Sequence, residues 1–164
     1  MERRELFSSL FSSKKKETKQ TLIRPPYYED GSSFDKECIN CIETPCITFC
    51  EENIIIKNED NTPVIDFILG GCTYCDECAN ACPNDVLDLE YKKNIDAIIE
   101  INMLECLAWN QTMCFSCKDP CLDDAIHFFG MFKPVIQDDT CTSCGFCISV
   151  CPTNAITIKK KEEV

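Results

Sequence analysis

The chain has 164 residues, sixteen of them cysteine, with a formal net charge of −12. At about a tenth of the chain, cysteine is frequent enough to define the architecture, and setting it aside leaves a thin apolar supply for a core. One histidine, His127, and five glycines with no phosphate-cradling motif leave little material for a catalytic triad, a multi-histidine metal site or a nucleotide-binding loop.

The chain opens on a basic arm. Residues 1–24 carry seven basic and three acidic side chains, so the remainder is more acidic than the total suggests. An acidic body disfavours nucleic acid and anionic membrane and favours a basic partner surface. No apolar run reaches the roughly 18 residues of a membrane-spanning helix. Arg3-Arg4 followed by Leu6-Phe7 has the look of a twin-arginine export signal, but the apolar stretch that should follow is replaced by Ser12-Ser13-Lys14-Lys15-Lys16. The expectation is a cytoplasmic protein, where clustered cysteines bind metal more often than they form disulfides. Residues 1–31 are read as a basic N-terminal arm, partly disordered.

Four cysteine groups follow. The first is Cys38, Cys41, Cys46 and Cys50, with an enlarged gap before Cys46. The second is Cys72, Cys75, Cys78 and Cys82, and Pro83 completes the run C-x2-C-x2-C-x3-C-P. The third is Cys106, Cys114, Cys117 and Cys121, with seven residues between its first two members. The fourth, Cys141, Cys144, Cys147 and Cys151, repeats the compact run and ends on Pro152. That compact run is the bacterial two-cluster ferredoxin signature for [4Fe–4S] ligation. Three soft thiolates two residues apart wrap the chain around one face of a cube, and the fourth turns away at the proline. A zinc ribbon has no use for the third and fourth cysteine of each run, and a secreted disulfide framework lacks its export signal. Cys106 has a competing reading as a small buried hydrophobe, which would leave its cluster an open corner and a [3Fe–4S] centre.

A repeat runs through the groups. Three residues after each last cysteine stands Asn53, Asp85, Asp124 or Asn154, followed by the apolar pairs Ile54-Ile55, Val86-Leu87, Ala125-Ile126 and Ala155-Ile156. The Asn or Asp suits a turn and the apolar pair starts a short strand. Pro63-Val64-Ile65 and Pro134-Val135-Ile136 precede the second and fourth groups. The expected fold is α+β: two tandem bacterial-type two-cluster ferredoxin-like lobes, residues 32–92 and 98–160, with short β-hairpins and short helices. Each lobe holds one group, a hairpin, a second group and a closing strand.

In two-cluster ferredoxins the fourth cysteine of each run serves the other cluster. The four sets are then Cys38, Cys41, Cys46 and Cys82; Cys72, Cys75, Cys78 and Cys50; Cys106, Cys114, Cys117 and Cys151; and Cys141, Cys144, Cys147 and Cys121. Tyr74, Trp109, Phe115, Phe128, Phe129, Phe132 and Phe146 are read as packing that shields the cubes, His127 as a surface residue, and Asp76 as a solvated charge between ligands.

Beyond the cysteines, the chain resembles the ferredoxin-type NapF family of the periplasmic nitrate reductase system. The resemblance is carried by Arg3-Arg4 with Leu6-Phe7, by Arg24-Pro25-Pro26-Tyr27, and by the long gap between Cys106 and Cys114, and it spans nearly the whole chain. It implies a cytoplasmic iron–sulfur accessory protein and not an enzyme. Such a protein would carry four [4Fe–4S] clusters and would act on the molybdenum-containing catalytic subunit of that reductase before export, by electron transfer, by assisting maturation, or both. It also implies partner docking through Arg3, Arg4 and Arg24, against the alternative of a solubilising tail. A different assignment fits the cysteine runs equally: an electron-transfer subunit of a formate dehydrogenase, hydrogenase or quinol-oxidising module, with peripheral association to membrane redox proteins.

Overall fold

The computed structural model describes residues 22–161. Arg3 and Arg4 lie outside the described residues. Regular elements are short: α1 (Pro45–Thr48), β1 (Ile55–Lys57), β2 (Pro63–Ile65), α2 (Glu77–Asn80), β3 (Ala97–Ile101), β4 (Ile126–Phe129), β5 (Phe132–Ile136), α3 (Phe146–Ser149) and β6 (Ile156–Lys160). A π-helical turn spans Phe34–Cys38 and a 3₁₀ turn spans Leu89–Tyr91. No helix among the described residues is long and apolar enough to cross a membrane.

The strands form three antiparallel pairs, β1 with β2, β4 with β5, and β3 with β6. The two hairpins are copies of each other. Ile55 faces Ile65 in one and Ile126 faces Ile136 in the other. Each is prolonged by one backbone bond, from Asp66 N–H to Ile54 C=O and from Gln137 N–H to Ala125 C=O, both 2.8 Å. Pro63 and Pro134 are tolerated because each sits on a strand with a single ladder partner, at a position that donates no bond to it.

The repeated Asn or Asp has one local cause. Asn53, Asp85, Asp124 and Asn154 all adopt left-handed backbone, with φ of 53°, 52°, 48° and 51°. Short polar side chains tolerate that region and β-branched ones do not. Each residue reverses the chain after the last cysteine of its group, so the following apolar pair is delivered into the core. Ile54, Leu87, Ala125 and Ala155 are all buried. Replacing Asn154 by Val is expected to cost the holoprotein about 1–2 kcal/mol, while Asn154→Gly stays near neutral. Denaturant titration under anaerobic conditions measures the difference.

Two expectations need correction. Val86-Leu87 is buried but starts no strand; a 3₁₀ turn follows instead. In the second half the closing strand β6 pairs with β3 along five residues. The corresponding segment of the first half is residues 23–27, and Pro25 and Pro26 have no N–H to donate. Only isolated bonds remain there: Ile65 N–H to Ile23 C=O at 2.8 Å, Asp88 N–H to Tyr27 C=O at 2.7 Å and Lys93 N–H to Pro26 C=O at 3.0 Å.

The second correction concerns the arm. From residue 22 onward it is part of the packed body: Ile23, Pro25, Pro26, Tyr27 and Tyr28 are buried. Arg24 donates to Thr62 Oγ1 (2.6 Å) and to Pro63 C=O (2.7 Å), and its guanidinium lies 4.6 Å from the centre of the Phe34 ring. A side chain tied to the first hairpin in this way clamps the segment to the body. Thr62 is fully buried and takes its side-chain bond from that clamp.

Buried apolar side chains form two groups. One draws on residues from Ile23 to Ala97, and the other on Ile99, Cys117, Ile126, Cys147 and Ile156.

Candidate iron–sulfur centre

All sixteen cysteines are free thiols. Three cavities are walled by four of them each. Cys38, Cys41, Cys46 and Cys82 line one; Cys50, Cys72, Cys75 and Cys78 line the second; Cys106, Cys114, Cys117 and Cys151 line the third. Their empty volumes, open mouths included, are about 370, 380 and 340 Å³. Three spaces of nearly one size with one kind of wall suit one kind of occupant. Of the remaining four thiols, Cys144, Cys141 and Cys121 all act on Cys147, and Cys144 and Cys121 act on Cys141. Burial pushes Cys147 strongly up, and the charges of Cys144, Cys141, Cys117 and Cys121 add to it.

The local backbone explains the convergence. In the second group the residues on either side of the second cysteine, Tyr74 and Asp76, are left-handed, with φ of 55° and 70°. In the fourth group Ser143 and Gly145 do the same, at 59° and 87°. Two such residues curl the chain so that three thiols face one side. The next four residues form a short helix that buries the third cysteine: Cys78 in α2 and Cys147 in α3. The first group keeps part of this scheme. Thr44 is left-handed (φ 43°), Pro45 opens α1, and Cys46 is buried within it. The enlarged gap before Cys46 thus ends in the same geometry as the compact runs.

The third group is built differently. Its seven-residue gap is a folded turn around Asn110, whose side-chain amide donates to the carbonyls of Met103 (3.3 Å), Leu104 (3.1 Å) and Cys106 (2.9 Å). Trp109 Nε1 donates to Pro134 C=O at 3.0 Å and anchors the turn on β5. Asn102 starts it, accepting from Leu104 N–H at its side chain and from Cys106 N–H at its carbonyl. The turn places Cys106 on the wall of the third cavity. Sequence reasoning missed Asn102 and Asn110; the only signal was two amide side chains framing an unusual gap. Asn110→Ala removes the donor shared by three carbonyls, and is expected to make the third set labile. Iron content should fall by about four atoms per chain on anaerobic gel filtration, with the other sets retained.

The most buried thiols are held protonated in the metal-free chain. Burial pushes Cys46 up to about 12, with Cys82, Cys38 and Cys41 adding to it, and Cys78 up to about 12, with Cys72, Cys75, Cys46 and Cys50 adding. Cys117 is pushed up to about 11 by burial, followed by Cys106. Filling any of these sites therefore expels protons. Backbone N–H groups already point at three of the fourth cysteines. Leu87 N–H donates to Cys82 Sγ (3.5 Å), Ala125 N–H to Cys121 Sγ (3.3 Å) and Ala155 N–H to Cys151 Sγ (3.3 Å). Such bonds stabilise negative charge on sulfur, favour thiolate ligation and raise the potential of a bound cluster.

This donor set fits iron–sulfur chemistry: sulfur only, four per cavity, spread around the walls. Among the described residues no three His, Cys, Asp or Glu side chains close on a single metal-ion position.

Other expected residues divide. Asp76 is not simply solvated: it accepts from Tyr27 Oη (2.7 Å) and Lys92 Nζ (2.6 Å), and the Lys92 bond leads in holding its carboxyl below the usual range. Phe115 packs on Phe128 at 4.8 Å, but Phe129 is 69% exposed and shields nothing. His127 lies on β4 and is exposed.

Comparison with known proteins agrees with the site. The family described as "4Fe-4S binding domain" matches residues 134–157, which include the fourth cysteine group. Ferredoxin-type protein NapF of Escherichia coli (strain K12) is 34% identical over 139 residues, covering 82% of this chain and 83% of that protein. The chain belongs to the ferredoxin-type NapF family. NapF of Haemophilus influenzae is 32% identical over 83% of the chain and 78% of its own length. The ferredoxin-type protein NapG of Haemophilus influenzae is more distant, 26% identical over 84% of the chain and 57% of its own length. As a NapF-family ferredoxin the chain binds [4Fe–4S] clusters and is an electron carrier, not a catalytic enzyme.

Proposed function

We propose that this chain is a cytoplasmic ferredoxin carrying four [4Fe–4S] clusters in two tandem lobes, the first extended back to residue 22 and the second covering residues 98–160. It serves the periplasmic nitrate reductase system, passing electrons to the molybdenum-containing catalytic subunit, assisting its maturation before export, or both. The observation that carries the reading is the composition of the cavity walls: each holds three cysteines of one run and a fourth from another. When bound, the clusters supply reversible one-electron chemistry. The chain's part is to hold them. Buried cysteines fix each set, backbone N–H groups steady the fourth sulfurs, and the exchanged cysteines tie the halves of each lobe together. Family membership along most of the chain supports the assignment to the nitrate reductase system, and the acidic body suits a basic partner surface.

Anaerobic purification with iron and sulfide counting and EPR tests the cluster count. About sixteen irons per chain are expected; about fifteen, with a three-iron signal, would remove Cys106 from the ligands. For the partner, the catalytic subunit without its export signal cleaved is the bait, and mature reductase the control. Removing residues 1–21, and no further because Arg24 is structural, asks whether Arg3 and Arg4 dock. Loss of capture with iron content unchanged is the outcome that supports docking.

A further inference from the structure

The second and fourth cysteine groups touch. Cys72 N–H donates to the carbonyl of Cys144 at 2.7 Å, joining a ligand of one half directly to a ligand of the other. Tyr74 Oη donates to Thr142 C=O at 2.5 Å and accepts from Ile95 N–H at 3.1 Å. Buried Ser143 donates to Ala97 C=O at 2.6 Å. The approach is so close that two positions have no room for a side chain. A Cβ on Gly71 would lie 2.5 Å from the backbone nitrogen of Phe146, and one on Gly145 would overlap the ring of Phe67. Each group thus presents a glycine to an aromatic of the other half.

We propose that this contact is an electron junction, making the four clusters one line in the order of the Cys38 set, the Cys50 set, the Cys121 set and the Cys106 set. The inference rests on the four-cluster reading above. Within the first half, α1 packs against α2 and buries Cys46 and Cys78 in one core, which places the first two sets together. Within the second, Cys117 and Cys147 share the other core. The Cys72–Cys144 bond closes the remaining gap. From sulfur to sulfur the route runs through Cβ, Cα and N–H of Cys72, across the hydrogen bond, and through C=O, Cα and Cβ of Cys144. The step is one electron: one cluster is oxidised by one, its neighbour reduced by one, and no bond or proton moves. Exposed apolar side chains flank the end sets: Ile42 beside Cys41 is 91% exposed and Met113 beside Cys114 is 66% exposed, which gives a redox partner apolar surface there.

The test uses holoprotein reduced with dithionite. Gly71→Ala forces the two groups apart, whereas Gly31→Ala, with nothing within 4 Å, is the control. At unchanged iron content, Gly71→Ala is expected to lose part of the spin–spin broadening in EPR. It should also slow electron equilibration after flash reduction several-fold, and Gly31→Ala should do neither. A fully loaded Gly71→Ala protein with the parental spectrum and rate overturns the junction. If that variant fails to load, Tyr74→Phe, which removes the hydroxyl bonds to Thr142 and Ile95 that brace Cys72 against Cys144, takes its place in the same two measurements. Narrowed lines and slower equilibration then support the junction, and the parental spectrum and rate overturn it. A shortfall of iron in the parent chain would instead count against the four-cluster reading.

Discussion

Stripping iron from the holoprotein with an anaerobic chelator is expected to abolish its cooperative unfolding transition and most of its regular far-UV signal. The reason lies in the scale of the elements. Among the described residues the longest strands have five residues and every α-helix has four, a single turn that is not stable alone. Four buried cysteines, Cys46, Cys78, Cys117 and Cys147, sit inside the two cores, so emptying the cavities takes away the centre of each. At roughly 60–75 residues per half, apolar burial by itself yields little net stability, and small domains of this kind depend on a metal or crosslink. Because burial holds the Cys46 and Cys78 thiols above their ordinary range when metal-free, those two positions gain nothing from thiolate charge at neutral pH. Retention of a sharp thermal transition after complete iron removal would show that apolar packing suffices.

The second large effect separates the two ways of pairing the cysteines. Cys82 belongs by sequence to the compact second run, yet it lines the cavity of Cys38, Cys41 and Cys46. Cys82→Ala is therefore expected to remove about four irons and to give the same reduced EPR difference spectrum as Cys41→Ala. Cys75→Ala should give a different one. If Cys82→Ala matched Cys75→Ala instead, each run would be ligating its own cluster. The same substitution also unties the second cysteine group from the first, so its denaturation midpoint should drop more than that of Cys75→Ala, since Cys75 is exposed.

Much of the site was legible in the sequence because ligand spacing is a local property. The compact runs around Cys75 and Cys144 show their chemistry directly, and the Asn or Asp after each group announces a left-handed turn whose φ is within a few degrees at all four places. Both hairpins were readable from their repeated apolar pairs. Less legible was the segment from Ile23 to Tyr28. Its basic flank and two prolines read as an arm, but Pro25 and Pro26 are excluded from a ladder without being excluded from a core. The clamp made by Arg24 is not legible in the sequence because its partners, Thr62 and Pro63, are almost forty residues away. Asn110 was invisible for the opposite reason: its three acceptors are all main-chain carbonyls, and no side-chain pattern records them.

The sequence by itself determined that sulfur ligands come in four groups, that the groups repeat in pairs, and that the chain resembles the NapF ferredoxins. Those conclusions need only residue type and spacing over a few positions. Tertiary structure decided which thiols share a cavity, how the irregular first and third groups are brought into place, and that the second and fourth groups meet at Gly71 and Gly145. Each of those depends on contacts between residues tens of positions apart, where what matters is the space left between two backbones.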